Sequence, residues 1–120
     1  IYKIQINDVK LRLKMLLNNE MDAMLLPQPQ ATTALLHNHK EIADSAFSQT
    51  HVGVIAFRQK AMEDNRRKQQ LKSFVKAYNE ACDSINKYGV GSYADVIKKY
   101  TEADYKTIKA LPKLNYKHAK

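Results

Sequence analysis

Four groups of residues in this chain have types and spacings that bear on chemistry. The first is the turn Leu26-Pro27-Gln28-Pro29-Gln30 with Thr32 and Thr33 behind it. A helix starting there presents N–H groups and the positive end of its dipole, both suited to a polar or anionic group. The plainer reading is a turn whose prolines only stop two elements. The second is His37-Asn38-His39, whose imidazoles stand two residues apart. That spacing puts them on different sides of a helix, whereas zinc sites on helices use a four-residue step and further ligands. No metal site is expected. The third is Cys82, which falls on an apolar helical stripe and reads as a small core residue, since a nucleophile needs a base and an electropositive setting. The fourth is the basic run Arg58, Lys60, Arg66, Arg67, Lys68, Lys72 and Lys76. These side chains circle a helix axis instead of sharing a face, so a solvated surface is expected and no nucleic-acid partner.

Other chemistry finds no foothold. Asp22 opens an apolar run and orders the turn before it, while Glu63-Asp64 sits in a charged helix end, so no carboxylate pair is set up for acid–base work. Three glycines form no phosphate-binding loop. One cysteine excludes an internal disulfide and a multi-cysteine zinc site. The chain is not expected to be an enzyme, and no cofactor is expected.

The elements that would position these residues follow from periodicity. Ile1 to Ile6 alternates in period two and predicts a strand. Asp8 then caps a helix whose apolar face carries Val9, Leu11, Leu13, Met15, Leu16 and Leu17, with Lys10, Arg12 and Lys14 outward. Asn18 and Asn19 tolerate the left-handed backbone that ends it. Ala23 to Leu26 is an unbroken apolar run, as expected of a strand covered on both faces, and a strand–helix–strand order favours parallel pairing. Gln30 to His39 predicts a short helix, with Ala31, Ala34, Leu35 and Asn38 inward. Glu41 to Phe47 is weak, irregular or a short strand. Val52 to Phe57 is a stronger strand, with Gly53 marking a bend.

The second half reads as helix. A charged helix begins near Gln59, and from Leu71 the stripe Leu71, Phe74, Val75, Tyr78, Ala81, Cys82 and Ile85 is at helical spacing and ends by Gly89. Gly91-Ser92 precedes a helix with Tyr93, Val96, Ile97 and Tyr100 inward. Thr101 with Asp104 three residues on resembles a capping box opening a last helix through Ala110, and Pro112 stops it. Leu114 to Tyr116 is a final strand or an extended tail.

The order of these motifs resembles a family. Asn19-Glu20-Met21-Asp22-Ala23, the apolar run, the prolines and the new helix, then His51-Val52-Gly53-Val54-Ile55-Ala56-Phe57 and the helix from Leu71 to Ala81, are similar to the type II periplasmic binding proteins. These are the solute receptors of ABC importers, here of the branch handling sulfonates, nitrate and thiamine pyrimidine precursors. The resemblance runs from about Leu11 to Tyr100. It implies an α/β fold of three-layer lobes, with this chain as a C-terminal half: residues 1–47 part of the second lobe, 48–53 a hinge, and 54–120 the return segment of the first lobe. It further implies a small polar or anionic ligand, contacts from Leu26, Pro27, Gln28, Pro29, Gln30, Thr32 and His51, an ABC permease as partner, and a periplasmic or membrane-anchored extracytoplasmic location. Many relatives carry Glu where this chain has Gln28, and a neutral amide eases contact with an anionic or neutral polar ligand. A half-receptor with open sheet edges also suggests a strand-exchanged homodimer.

Two alternatives stand beside it. Pyrimidine-precursor synthases share that fold and use pyridoxal phosphate, and the residues for that chemistry would lie upstream of Ile1. A basic nucleic-acid module is the other, favoured only by the balance of 20 Lys and Arg against 12 Asp and Glu, a net of +8. No apolar run approaches the ~20 residues of a membrane span, and no signal peptide opens the chain.

Overall fold

The computed structural model describes residues 2–45 and 53–120. Among them the regular structure is helical throughout, with no strand and no sheet. The α/β three-layer lobe is therefore overturned. Where described, the stretches expected as strands form no regular structure: Tyr2 is 100% exposed, Leu25 84% and Val54 88%. Parallel strands need neighbours and cover on both faces, and two or three short strands without them do not hold together in water. The hinge expected at 48–53 lies, apart from Gly53, outside the described residues, as does most of the Glu41 to Phe47 segment's end.

The chain divides into two compact units, each described by itself. Unit 1 comprises Ile1–Ile42 and Val90–Lys113, and unit 2 comprises Ala43–Gly89 and Leu114–Lys120.

Unit 1 holds four helices and a 3-10 turn. Helix α1, Val9–Leu17, starts where the Asp8 carboxylate accepts the Leu11 N–H at 3.0 Å, satisfying one of the donors a helix start leaves free. It stops at Asn18, and Asn19 takes the left-handed conformation at φ 58°. Helix α2, Gln30–Leu36, follows the proline turn and ends at His37, whose Nδ1 lies 2.8 Å from the Thr33 carbonyl. After the 3-10 turn Val90–Tyr93, and following α3, Gln59–Glu63, and α4, Asn65–Tyr88, of unit 2, comes α5, Ala94–Thr101. Glu102, left-handed at φ 58°, breaks the chain between α5 and α6, Tyr105–Ala110. The cap of α6 is Asp104, whose carboxylate accepts the Thr107 N–H at 2.7 Å. Thr101 closes α5 instead, donating its hydroxyl to the Ile97 carbonyl, so it does not form the expected capping box.

Helix α2 packs on α1 and α6, and α6 on α5. The centre is small: Ala34, Ala103 and Ile108 are its buried apolar residues, with Thr32 and Thr107 buried beside them. Val96 and Tyr100, expected inward, are 55% and 76% exposed.

Unit 2 is built on one long helix. Gln59–Glu63 forms the short α3, and at Asp64 the backbone opens to φ −90°, ψ 120°. The Asp64 carboxylate then accepts the Arg67 N–H at 2.9 Å and caps α4, Asn65–Tyr88. Gly89 ends α4 with φ 81°, a conformation open to glycine at little cost. The expected stripe is present, but only Cys82 on it is buried. Phe74 is 50% exposed, its edge against Phe57 with ring centres 6.0 Å apart.

The tail Leu114–Lys120 is extended and lies along α4 in the opposite direction. Asn86 pairs with both polar groups of the Tyr116 backbone, donating to its C=O at 2.8 Å and accepting its N–H at 2.9 Å. One turn and two turns back, Cys82 reaches the Lys117 carbonyl at 3.6 Å and Asn79 accepts the Ala119 N–H at 2.8 Å. These contacts use the residues of α4 at 79, 82 and 86, a single helical face. An extended strand with no sheet is thereby satisfied by side-chain amides.

Candidate functional site

The polar recess of unit 1 is assembled from three places in the chain. Its volume is about 240 Å³. Helix α1 supplies Lys10 and Leu13, the start of α2 supplies Pro29, Gln30 and Thr33, and the α5–α6 corner supplies Thr101 to Asp104 with Thr107. The corner exists because Glu102 adopts the left-handed backbone, which turns the chain sharply enough to place two carboxylates and two threonines together.

Hydrogen bonds tie the walls together. The Thr33 and Thr107 hydroxyls lie 3.3 Å apart, joining α2 to α6, and Thr33 Oγ1 also donates toward the Pro29 carbonyl at 3.4 Å. Lys10 forms an ion pair with Glu102 across the recess mouth. This hydrogen bond and the Glu102 charge raise the Lys10 ammonium above its usual range. Asp104 is held below the usual carboxylate range by the Thr107 backbone N–H and hydroxyl, with Lys106 and His37 adding a smaller pull. Asp104 is therefore anionic at neutral pH. The lining carries one ammonium and two carboxylates, so its charge is net negative, and its remaining polar groups are hydroxyls and an amide.

Two of the seven expected ligand contacts line this recess, Pro29 and Gln30. The others stand elsewhere. Leu26 is half-buried and Pro27 exposed on the approach to the turn. Gln28 folds back, its amide oxygen accepting both the Thr32 N–H at 3.2 Å and the Thr32 hydroxyl at 2.7 Å. Thr32 is thereby buried and fully engaged. His51 lies outside the described residues. At the start of α2 the Ala31, Thr32 and Thr33 N–H groups are taken by the Pro27 carbonyl, the Gln28 amide and the Pro29 carbonyl.

Sequence reasoning missed Lys10, Thr101, Glu102, Asp104 and Thr107 as site residues. The periodicity of α1 points Lys10 to solvent, and nothing local says that it meets Glu102, 92 residues away. By local pattern Asp104 and Thr101 read only as capping residues. Arg12, also expected outward, instead turns in and donates to the Leu25 carbonyl at 2.7 Å. That bond fixes the end of the extended stretch and so the position of the proline turn.

His37 serves the last turn of α2, and no cluster of three metal-ligating side chains occurs among the described residues. Cys82 is buried against the tail. No helix among the described residues is long and apolar enough to cross a membrane. Comparison with protein-family models, with curated proteins and with solved structures finds no match to this chain.

Proposed function

We propose that this chain belongs to the solute-binding component of an ABC importer, acting outside the cytoplasmic membrane beside its permease, and that unit 1 contacts a small polar solute. The reading rests on the ordered resemblance of the stretches around Asp22 to Gln30 and Leu71 to Ala81. The observation that carries it is that Pro29 and Gln30, two of the contacts implied by that resemblance, meet Lys10, Thr33 and Thr107 in one polar recess.

The charge of the recess selects among the ligand classes. Two carboxylates against one ammonium oppose a sulfonate or nitrate and favour an uncharged or cationic solute bearing N–H donors. An aminopyrimidine, the thiamine-precursor class, satisfies this. The volume of about 240 Å³ is below the range of drug-sized sites, which suits a solute of one ring.

The test is thermal unfolding of the protein, at the length its cells make it, titrated with a 4-aminopyrimidine alcohol, taurine and nitrate. The expected result is a saturable rise with the aminopyrimidine, equivalent to about 2.7 kcal/mol at a hundredfold excess over Kd, reduced in Gln30→Ala. A rise with taurine alone would sink the charge argument. No rise with any of the three would sink the receptor reading.

A further inference from the structure

A second concavity lies wholly within unit 2 and owes nothing to the solute recess. It is a groove of about 600 Å³ between the first half of α4 and the extended residues before α3, floored by Ile55, Phe57, Met62, Leu71 and Val75. Four ammonium groups border it: Lys68, Lys72 and Lys76 along α4, and Lys120 of the tail. Of these, Lys76 alone has a carboxylate partner among the described residues, Glu80 at a loose 3.9 Å.

Two features point to one kind of occupant. Although the longer basic run circles the axis, the three lysines at 68, 72 and 76 are four residues apart and border one groove, forming a file with a step of about 6 Å. An extended peptide repeats its side chains on one face every two residues, a step of about 6.7 Å. A fatty acid or a single lipid headgroup would engage one end of such a file and leave the rest unmatched. The opposite wall supplies the second feature. Gly53 to Phe57 belongs to no helix, and no backbone–backbone hydrogen bond involves it among the described residues. An exposed segment of this kind, with Val54 88% exposed, offers its backbone groups to an added strand.

We propose that this groove binds an extended segment of a partner protein in which acidic and apolar residues alternate. The acidic side chains face the lysine file, the apolar ones enter the floor between Phe57 and Leu71, and the peptide backbone pairs with Gly53 to Phe57.

The test uses a fluorescein-labelled peptide of four Glu-Leu repeats, read by anisotropy against the protein. Binding is expected to saturate, to weaken from 50 to 200 mM salt, and to fall about fivefold in each of Lys68→Glu and Lys72→Glu. Helix content in both variants, read by circular dichroism, is expected to stay at the parent level, because both side chains are solvent-facing. Amide resonances of Gly53 to Phe57 are expected to shift on binding. Equal binding of a Glu-Ser peptide would overturn the proposal, since charge alone would then suffice. So would indifference to both lysine substitutions, or retention only on palmitate or phosphatidylserine vesicles without peptide binding.

Discussion

Unit 1 and unit 2 solve the same problem, holding short elements together with few large buried side chains, by different means. Unit 1 joins residues far apart in sequence through a small centre of Ala34, Ala103 and Ile108 and a bridge between two threonine hydroxyls. Among the described residues of unit 2 only Cys82 is buried. The unit relies on one helix of 24 residues and a tail stitched to it by side-chain amides. The difference teaches that burial builds a recess and stitching builds a groove. Where helices converge on small residues, Thr32 and Thr107 are buried. Where a tail and an extended arm lie along a single helix, the surface between them stays open.

The comparison breaks most sharply at Ile108, 1% exposed at the middle of unit 1. Ile108→Ala removes most of the large apolar volume there and is expected to cost about 3 kcal/mol, read as earlier urea unfolding and as lost amide protection across α6. A much smaller loss would mean that unit 1, too, is held by its hydrogen bonds. The counterpart in unit 2 is Asn86. Asn86→Ala leaves both polar groups of the Tyr116 backbone without their partner and is expected to cost about 1–2 kcal/mol, with exchange of the Tyr116 and Ala119 amides accelerating together. If the tail stays protected, stitching is not what holds it.

A finer test concerns the corner of the recess. The Asp104 carboxyl is depressed in the folded protein, so its contribution is present above the unfolded value of about 3.9 and is lost as pH falls through the lower folded value. Protection of the first turn of α6 is expected to decline over that acidic window, and in Asp104→Ala to be low at every pH. The smallest effect is expected at the Lys10–Glu102 pair, where both side chains are about 70% exposed. Its sign is opposite: the raised Lys10 value adds stability that is complete below about pH 10.4 and lost as pH rises through the folded value. Lys10→Gln is expected to change unfolding little at physiological salt and measurably only at low salt, since exposed pairs are screened.

Legibility in the sequence followed the range of each interaction. Asp8 as a cap, Asn19 as a left-handed stop and Gly89 as the end of α4 were readable, because helix hydrogen bonds and caps reach only three or four residues; of the stripe expected inward only Cys82 is buried. The break at Asp64 was not foreseen, although its chemistry is equally local: the same carboxylate that interrupts the charged run caps the next helix. The strands were the large error. Alternation at Tyr2 to Ile6 and the apolar run at Ala23 to Leu26 express a preference for extended backbone, and a sheet additionally needs a partner that no local pattern can guarantee. The strand-exchanged dimer rested on the edges of that sheet, which is absent among the described residues.

The sequence by itself determined the course of most helices, the cap at Asp8, the stops at Asn19 and Gly89 and the place of the proline turn. Tertiary structure decided that Gln28 turns back onto Thr32 while Gln30 faces a recess, that Lys10 meets Glu102, and that an extended tail closes on Asn79 and Asn86. The physical reason is the same in each case. A helix closes its bonds within one turn, whereas a site is made by side chains whose meeting depends on how separate elements pack.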